Sequence, residues 1–249
     1  MVSFIVFVFG SVIGSFLNAV IWRLDKNKSV LKGRSICPQC KHVLSAQDLI
    51  PVISFVLLKG RCRYCRKPIS FQYPIVEVAT GLVFVLLFGF IGVHLLHLVI
   101  VWAIAALLIV IFVYDLKHFI IPDSMVFASI VLAGVWQILQ GGIISGLIAG
   151  FGAAAFFLLL FLISKGTWMG FGDVKLVLFM GLFLGWPTIL VALFAAFLVG
   201  AVVGVTLVAF KKKDMKSEVP FGPFLILGTV FAFVWGSALA DWYFNLLMI

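Results

Sequence analysis

Residues 78–114 read VATGLVFVLLFGFIGVHLLHLVIVWAIAALLIVIFVY, 37 positions without Asp, Glu, Lys or Arg. A membrane-crossing helix needs roughly 20 apolar residues to traverse about 30 Å of hydrocarbon. This run is therefore long enough for two crossings, with a break at Gly92 to His94, where turn chemistry allows one. Working outward, four further uncharged runs follow the same logic. Residues 1–22 and 219–240 give one crossing each, and residues 124–164 and 176–210 give two each. Breaks are expected at Gly141 and Gly142, and from Gly185 to Pro187. The sum is an all-α polytopic membrane protein of about eight helices, with 1–22 as its first span. A hydrophobic fraction of 64% and a charged fraction of 11% exclude soluble globular and disordered classes.

Because each internal run crosses twice, the charged segments 23–77, 115–123, 165–175 and 211–218 all return to one side. All 18 Lys and Arg lie in them, 11 between Arg23 and Lys67. Basic loops face the cytoplasm, so this side is expected to be cytoplasmic and the N-terminus external. The net charge of +9 is thereby a topological signal rather than a nucleic-acid-binding surface. The first run lacks a basic leading region and a small-residue cleavage site, and is expected to be a retained span. Lys211–Glu218 reads as a short solvated loop. Trp22, Trp102, Trp136, Trp168, Trp186 and Trp242 fall near span ends, as in an aromatic belt.

Composition shifts once, in residues 23–74, which are expected to form a cytoplasmic insert ahead of a seven-helix domain, 75–249. The insert holds all four cysteines, as CPQC (Cys37, Cys40) and CRYC (Cys62, Cys65). Two residues between thiolates let both reach one ion, and four thiolates complete a tetrahedral structural zinc site. A cytoplasmic location disfavours disulfides. His42 could replace one cysteine, although an exposed loop histidine is the commoner situation.

Only nine acidic residues occur. Asp115 ends an apolar run in DLKHFIIPD, where a helix C-terminus disfavours a carboxylate. Asp173 lies in GFGDVK on the same side. Two carboxylates brought together there can share a proton, one acting as base toward water and the other as acid toward a scissile amide. Asp173 could alternatively serve as a helix cap, and Asp123, followed by Ser124, reads as an N-cap. Gly170 and Gly172 would allow close backbone approach. Lys175 and Lys117 are placed to bias protonation. Glu77, at the start of a span, calls for a cavity or a partner. His94 and His97 read as an interfacial pair.

GSFLNAVIWRL (14–24), the two CxxC knuckles, ISFQYPIVEVATGLVF (69–84), DLKHFIIPD, GFGDVK and PFGPFL (220–225) together resemble the type IV prepilin leader peptidase family. The resemblance implies a bacterial inner-membrane aspartic protease that cleaves short basic leaders from prepilins and pseudopilins. Asp115 and Asp173 match the family's catalytic pair, and Asp123 stands outside it because Asn also occurs there. Many members N-methylate the new amino terminus, so S-adenosylmethionine is a further implied cofactor. Glu77 lies in a recurrent YPxxE motif, with a substrate or methylation role set against a structural pair with an arginine of the insert. Rival functions are a transporter, which would spread acids along a path, and a non-enzymatic pilus assembly factor. The partners implied are pilin precursors and the lipid bilayer, with no nucleic acid.

Overall fold

The uncharged runs form helices because a backbone in hydrocarbon must satisfy its own hydrogen bonds. In the computed structural model, which describes residues 1–26, 29, 33–210 and 219–247, the described chain is helical apart from loops and two isolated β-bridges. The helices are α1 (Val2–Asp25), α2 (Ile53–Leu57), α3 (Gln72–Ile91), α4 (Leu95–His118), α5 (Asp123–Leu139), α6 (Ile143–Ser164), α7 (Phe171–Leu184), α8 (Thr188–Ala209) and α9 (Gly222–Leu246). All except α2 are apolar and match the eight expected segments. The segment Lys211–Glu218 lies outside the described residues.

Three expected breaks are tight turns with a left-handed glycine, at Gly92 (φ 70°), Gly141 (φ 70°) and Gly185 (φ 73°). A side chain there would be strained, which is why the helices end at these positions.

Only six of the eight helices are long and apolar enough to cross a bilayer by themselves. The exceptions are α5, with 17 residues, and α7, with 14. At about 1.5 Å per residue, α7 extends roughly 21 Å, short of about 30 Å of hydrocarbon. Residues 176–210, read as two crossings, thus supply one helix long enough to cross by itself, α8, and part of one that is not. A short helix is tolerated because protein surrounds it: Leu176, Val177, Phe179 and Met180 are fully buried. Irregular backbone at membrane depth is acceptable where protein covers it.

The chain forms two compact units, Met1–Val110 and Ile111–Ile249, with the boundary inside α4. The composition-based division at residue 75 is a different one, since compactness groups the insert with the helices flanking it. In the first unit α1 packs on α3 through small residues. A methyl group on Gly10 would lie 2.8 Å from Gly81 Cα, and one on Gly14 would lie 2.7 Å from Glu77 Cα. In the second unit a methyl on Gly181 of α7 would lie 2.5 Å from Gly150 Cα of α6. Such close approach replaces the hydrophobic driving force that lipid does not supply between helices. Buried Thr80, Ser129 and Thr229 return their hydroxyls to carbonyls four residues earlier, so these three polar groups are satisfied within their own helices.

Candidate functional site

The second unit gathers four chain segments around Asp115. This residue lies one turn before the end of α4 and is 4% exposed. After α4 the chain turns at Phe119 (φ 57°), whose amide donates to the Asp115 carbonyl at 2.9 Å. Ile121 from this loop is buried against the starts of α7 and α9. A methyl on Gly172 would lie 2.9 Å from Ile121 Cβ, and one on Gly222 would lie 3.3 Å from Ile121 Cδ1 and 2.5 Å from Asp115 Oδ2. The glycines therefore leave room for a wedge and a carboxylate. Asp115 Oδ2 is buried and has no hydrogen-bond partner among the described residues.

Asp173 is 7% exposed and lies within electrostatic reach of Asp115. Its Oδ2 accepts the amide of Gly170, the N-cap of α7, at 3.1 Å. The helix-cap alternative is thus real for Asp173, and one carboxylate oxygen remains beyond it. Gly170 itself is exposed, with φ −78°, and a methyl there would approach nothing closer than 3.8 Å. Its lack of a side chain is required neither by the backbone nor by the surrounding fold.

In the first unit the four Cys Sγ atoms lie within 4.8 Å of one another. Tetrahedral zinc with bonds of about 2.3 Å needs sulfur separations near 3.8 Å, so the donor set fits that ion. The two knuckles are built alike. The Cys37 amide donates to His42 O and the Lys41 amide to Cys37 O, while the Cys62 amide donates to Lys67 O and the Arg66 amide to Cys62 O, all at 2.9 Å. Lys41 and Arg66 both hold φ 60°, closing each loop so that its cysteines converge. His42 stands outside the four-cysteine cluster; its ring lies against Tyr64 with centroids 3.7 Å apart. Asp48 ties the module together, accepting from Arg63 at 2.6 Å, Tyr64 at 3.0 Å and Ser45 at 2.8 Å. Burial opposes its charge, but these donors outweigh burial and hold its carboxyl near about 2.

Two family profiles cover this chain: the bacterial peptidase A24 N-terminal domain over residues 8–91 and the type IV leader peptidase family over residues 102–205. The chain is 32% identical to a prepilin leader peptidase/N-methyltransferase of Aeromonas hydrophila, covering 96% of this chain and 92% of the relative. It is 31% identical to that of Bacillus subtilis (strain 168), covering 97% and 98%. The chain belongs to the type IV leader peptidase family. No solved structure matches it significantly.

Asp123 is not the N-cap of α5: Pro122 occupies that position, and the Asp123 carboxylate pairs with Lys175 Nζ. Lys175 is consequently engaged with Asp123, and its ammonium also lies 5.2 Å from the Phe171 ring centroid. Lys117 is exposed in the last turn of α4. Glu77 belongs to the first unit, where it is 7% exposed and accepts the Val52 amide at 2.8 Å. Its described partners are thus insert backbone and the Ser15 side chain of α1 rather than an insert arginine. His94 and His97 do meet, with ring centroids 6.0 Å apart. Gly222 and Ile121 were not singled out by sequence reasoning, although both lie within the quoted family motifs.

Proposed function

We propose that this chain is a prepilin leader peptidase whose catalytic unit is Asp115 with Asp173. Family membership supports the activity, and the buried, unpartnered Asp115 Oδ2 near Asp173 supports the assignment of residues. The relatives' names favour a peptidase over a transporter or an assembly factor.

With a substrate amide between the carboxylates, one carboxylate removes a proton from water as the water oxygen adds to the carbonyl carbon. The other, protonated, gives its proton to the amide nitrogen, and the C–N bond breaks. Atoms balance without a further reactant. The wedge of Ile121 and the bare surfaces of Gly172 and Gly222 leave room for the pair, with the Gly170 amide on Asp173. The open side of Gly170 suits an extended peptide backbone. Lys175 acts through its ion pair, joining α7 to α5 and orienting the start of α7. Glu77 orients the insert through Val52.

Cys37, Cys40, Cys62 and Cys65 would hold one zinc ion, which when bound cross-links the two knuckles. The relatives' names also carry N-methyltransferase, and we assign this chain the second step, methylation of the new amino terminus from S-adenosylmethionine. The protein belongs in the cytoplasmic membrane, with the insert and both aspartates at the cytoplasmic boundary and the N-terminus outside.

Co-expression with a candidate prepilin, followed by mass determination of the product's amino terminus, tests this reading. Leader loss with a further methyl mass is expected from the parent protein. Asp115→Asn and Asp173→Asn should each abolish leader loss at matched membrane levels, and the double variant should be no worse, since the two act as a unit. Asp123→Asn should retain cleavage. Substantial cleavage by either single dyad variant refutes the assignment.

A further inference from the structure

The insert carries an apolar face that none of the described residues covers. On α2, Ile53, Val56 and Leu57 are exposed, Leu57 at 76%, and Phe71 at the start of α3 is 71% exposed. Phe55 and Phe71 touch with ring centroids 5.4 Å apart, which joins the short helix to the beginning of the long one. Beside them lies a cavity of about 370 Å³ lined by Phe55, Val56, Lys59, Arg61, Ile69 and Phe71. Lys59 and Arg61 are both exposed at its rim.

The position of this face is held. Val52 adopts φ 61° and ψ −49°, an unfavourable conformation for a β-branched residue, and the Ile53 amide closes the turn on Pro51 O at 2.5 Å. Strain of this kind persists only where the surroundings impose it. Here the buried Glu77 carboxylate accepts the Val52 amide at 2.8 Å, fastening the start of α2 to α3.

Two observations identify what covers the face. The first is continuity: Phe71, Ile75, Leu82 and Leu86 recur at helical spacing along one exposed side of α3, a side that a membrane helix presents to lipid. The α2 face extends that stripe beyond the end of the helix. The second is charge: Lys59 and Arg61 suit phosphate groups of an anionic leaflet and repel a cationic peptide. An apolar face flanked by basic residues is the pattern of a segment lying in the membrane interface.

We propose that the α2 face of the insert docks into the bilayer surface, with Ile53, Val56, Leu57 and Phe71 at the acyl boundary and Lys59 and Arg61 on anionic headgroups. This rests on the membrane reading of α3 and does not depend on the peptidase reading.

The test places benzoylphenylalanine at Leu57 in the full-length protein, in nanodiscs of equal phosphatidylglycerol and phosphatidylcholine, with and without a prepilin. Adducts are identified by mass after illumination. Phospholipid adducts are expected, with phosphatidylglycerol enriched several-fold, and none from the same probe at exposed Gln39 in a knuckle. Replacing Lys59 and Arg61 by Gln should return the two lipids toward equal yield. If the Leu57 variant is not recovered in membranes, the probe at Phe71 gives the same readings. Absence of lipid adducts, equal yields of both lipids in the parent, or replacement of lipid by prepilin adducts overturns the proposal.

Discussion

One methyl group on Gly222 would lie 2.5 Å from Asp115 Oδ2, so an alanine there must displace either the start of α9 or the carboxylate. The carboxylate is the softer of the two, and a displacement of about 1 Å at a catalytic group can cost on the order of 100-fold in rate. Gly222→Ala should therefore insert at normal levels yet process prepilin roughly 100-fold more slowly. Gly204→Ala, where a methyl meets nothing within 4 Å, should be silent. Equal processing by the two variants would show that Gly222 does not confine Asp115. At this scale the aspartates were legible as candidates because charge is so rare in this chain that each acidic residue ending an apolar run demands a reason. Gly222 was not, since among 23 glycines no local signal marks the one facing a carboxylate 107 positions earlier in the chain. Asp123 was misread by a single position: Pro122 takes the cap, and the freed carboxylate finds Lys175, 52 residues away.

Among the elements, the turns were legible and the helix lengths were not. Gly92, Gly141 and Gly185 ended helices where expected because a left-handed residue is a local requirement. The length of α7 is set by its ends, the Gly170 cap and the Gly185 turn, and composition does not mark the start: the apolar run begins at residue 176, five positions after the helix does. The cysteine insert was legible through spacing alone, since each CxxC pair forms its own knuckle and needs only a second pair to complete four donors. Ligand deprotonation and folding of such a module are coupled to metal binding. Purified protein should carry one zinc per chain, and Cys62→Ser should lose it. That variant should also become sensitive to limited proteolysis between residues 33 and 71, with membrane abundance falling several-fold as the cell removes the loosened form. Intact resistance to protease in a zinc-free preparation would refute a structural role for the ion. Asp48→Asn should have a milder effect in the same direction, because it weakens the contacts with Arg63 and Tyr64 but leaves the four thiolates in place.

For the whole molecule, orientation follows from counting rather than from any one contact. If each of the eight apolar helices reverses the side of the chain, the insert, the α4–α5 loop and the α6–α7 loop share one side, and the turns at residues 92–94, 140–142 and 185–187 share the other. The same count puts segment 211–218 on the first side, so all 18 Lys and Arg are expected there, and the positive-inside bias makes that side cytoplasmic. The four native cysteines are an internal control, since all lie in the insert and none should meet a membrane-impermeant maleimide added to intact cells. Parent protein should therefore remain unlabelled until the membrane is opened. His94→Cys and Gln140→Cys should label in intact cells, because both positions are exposed and lie in turns expected on the external side. Lys117→Cys should label only after permeabilisation. The shortness of α7 makes Trp186→Cys the most demanding position. Labelling there in intact cells means that α7 still reaches the outer face despite its length of about 21 Å. In that case the start of α7, with Asp173, lies below the opposite membrane surface. Labelling of Trp186→Cys only from the cytoplasmic side would instead make α7 re-entrant, reverse the side expected for the start of α8, and overturn the eight-crossing topology.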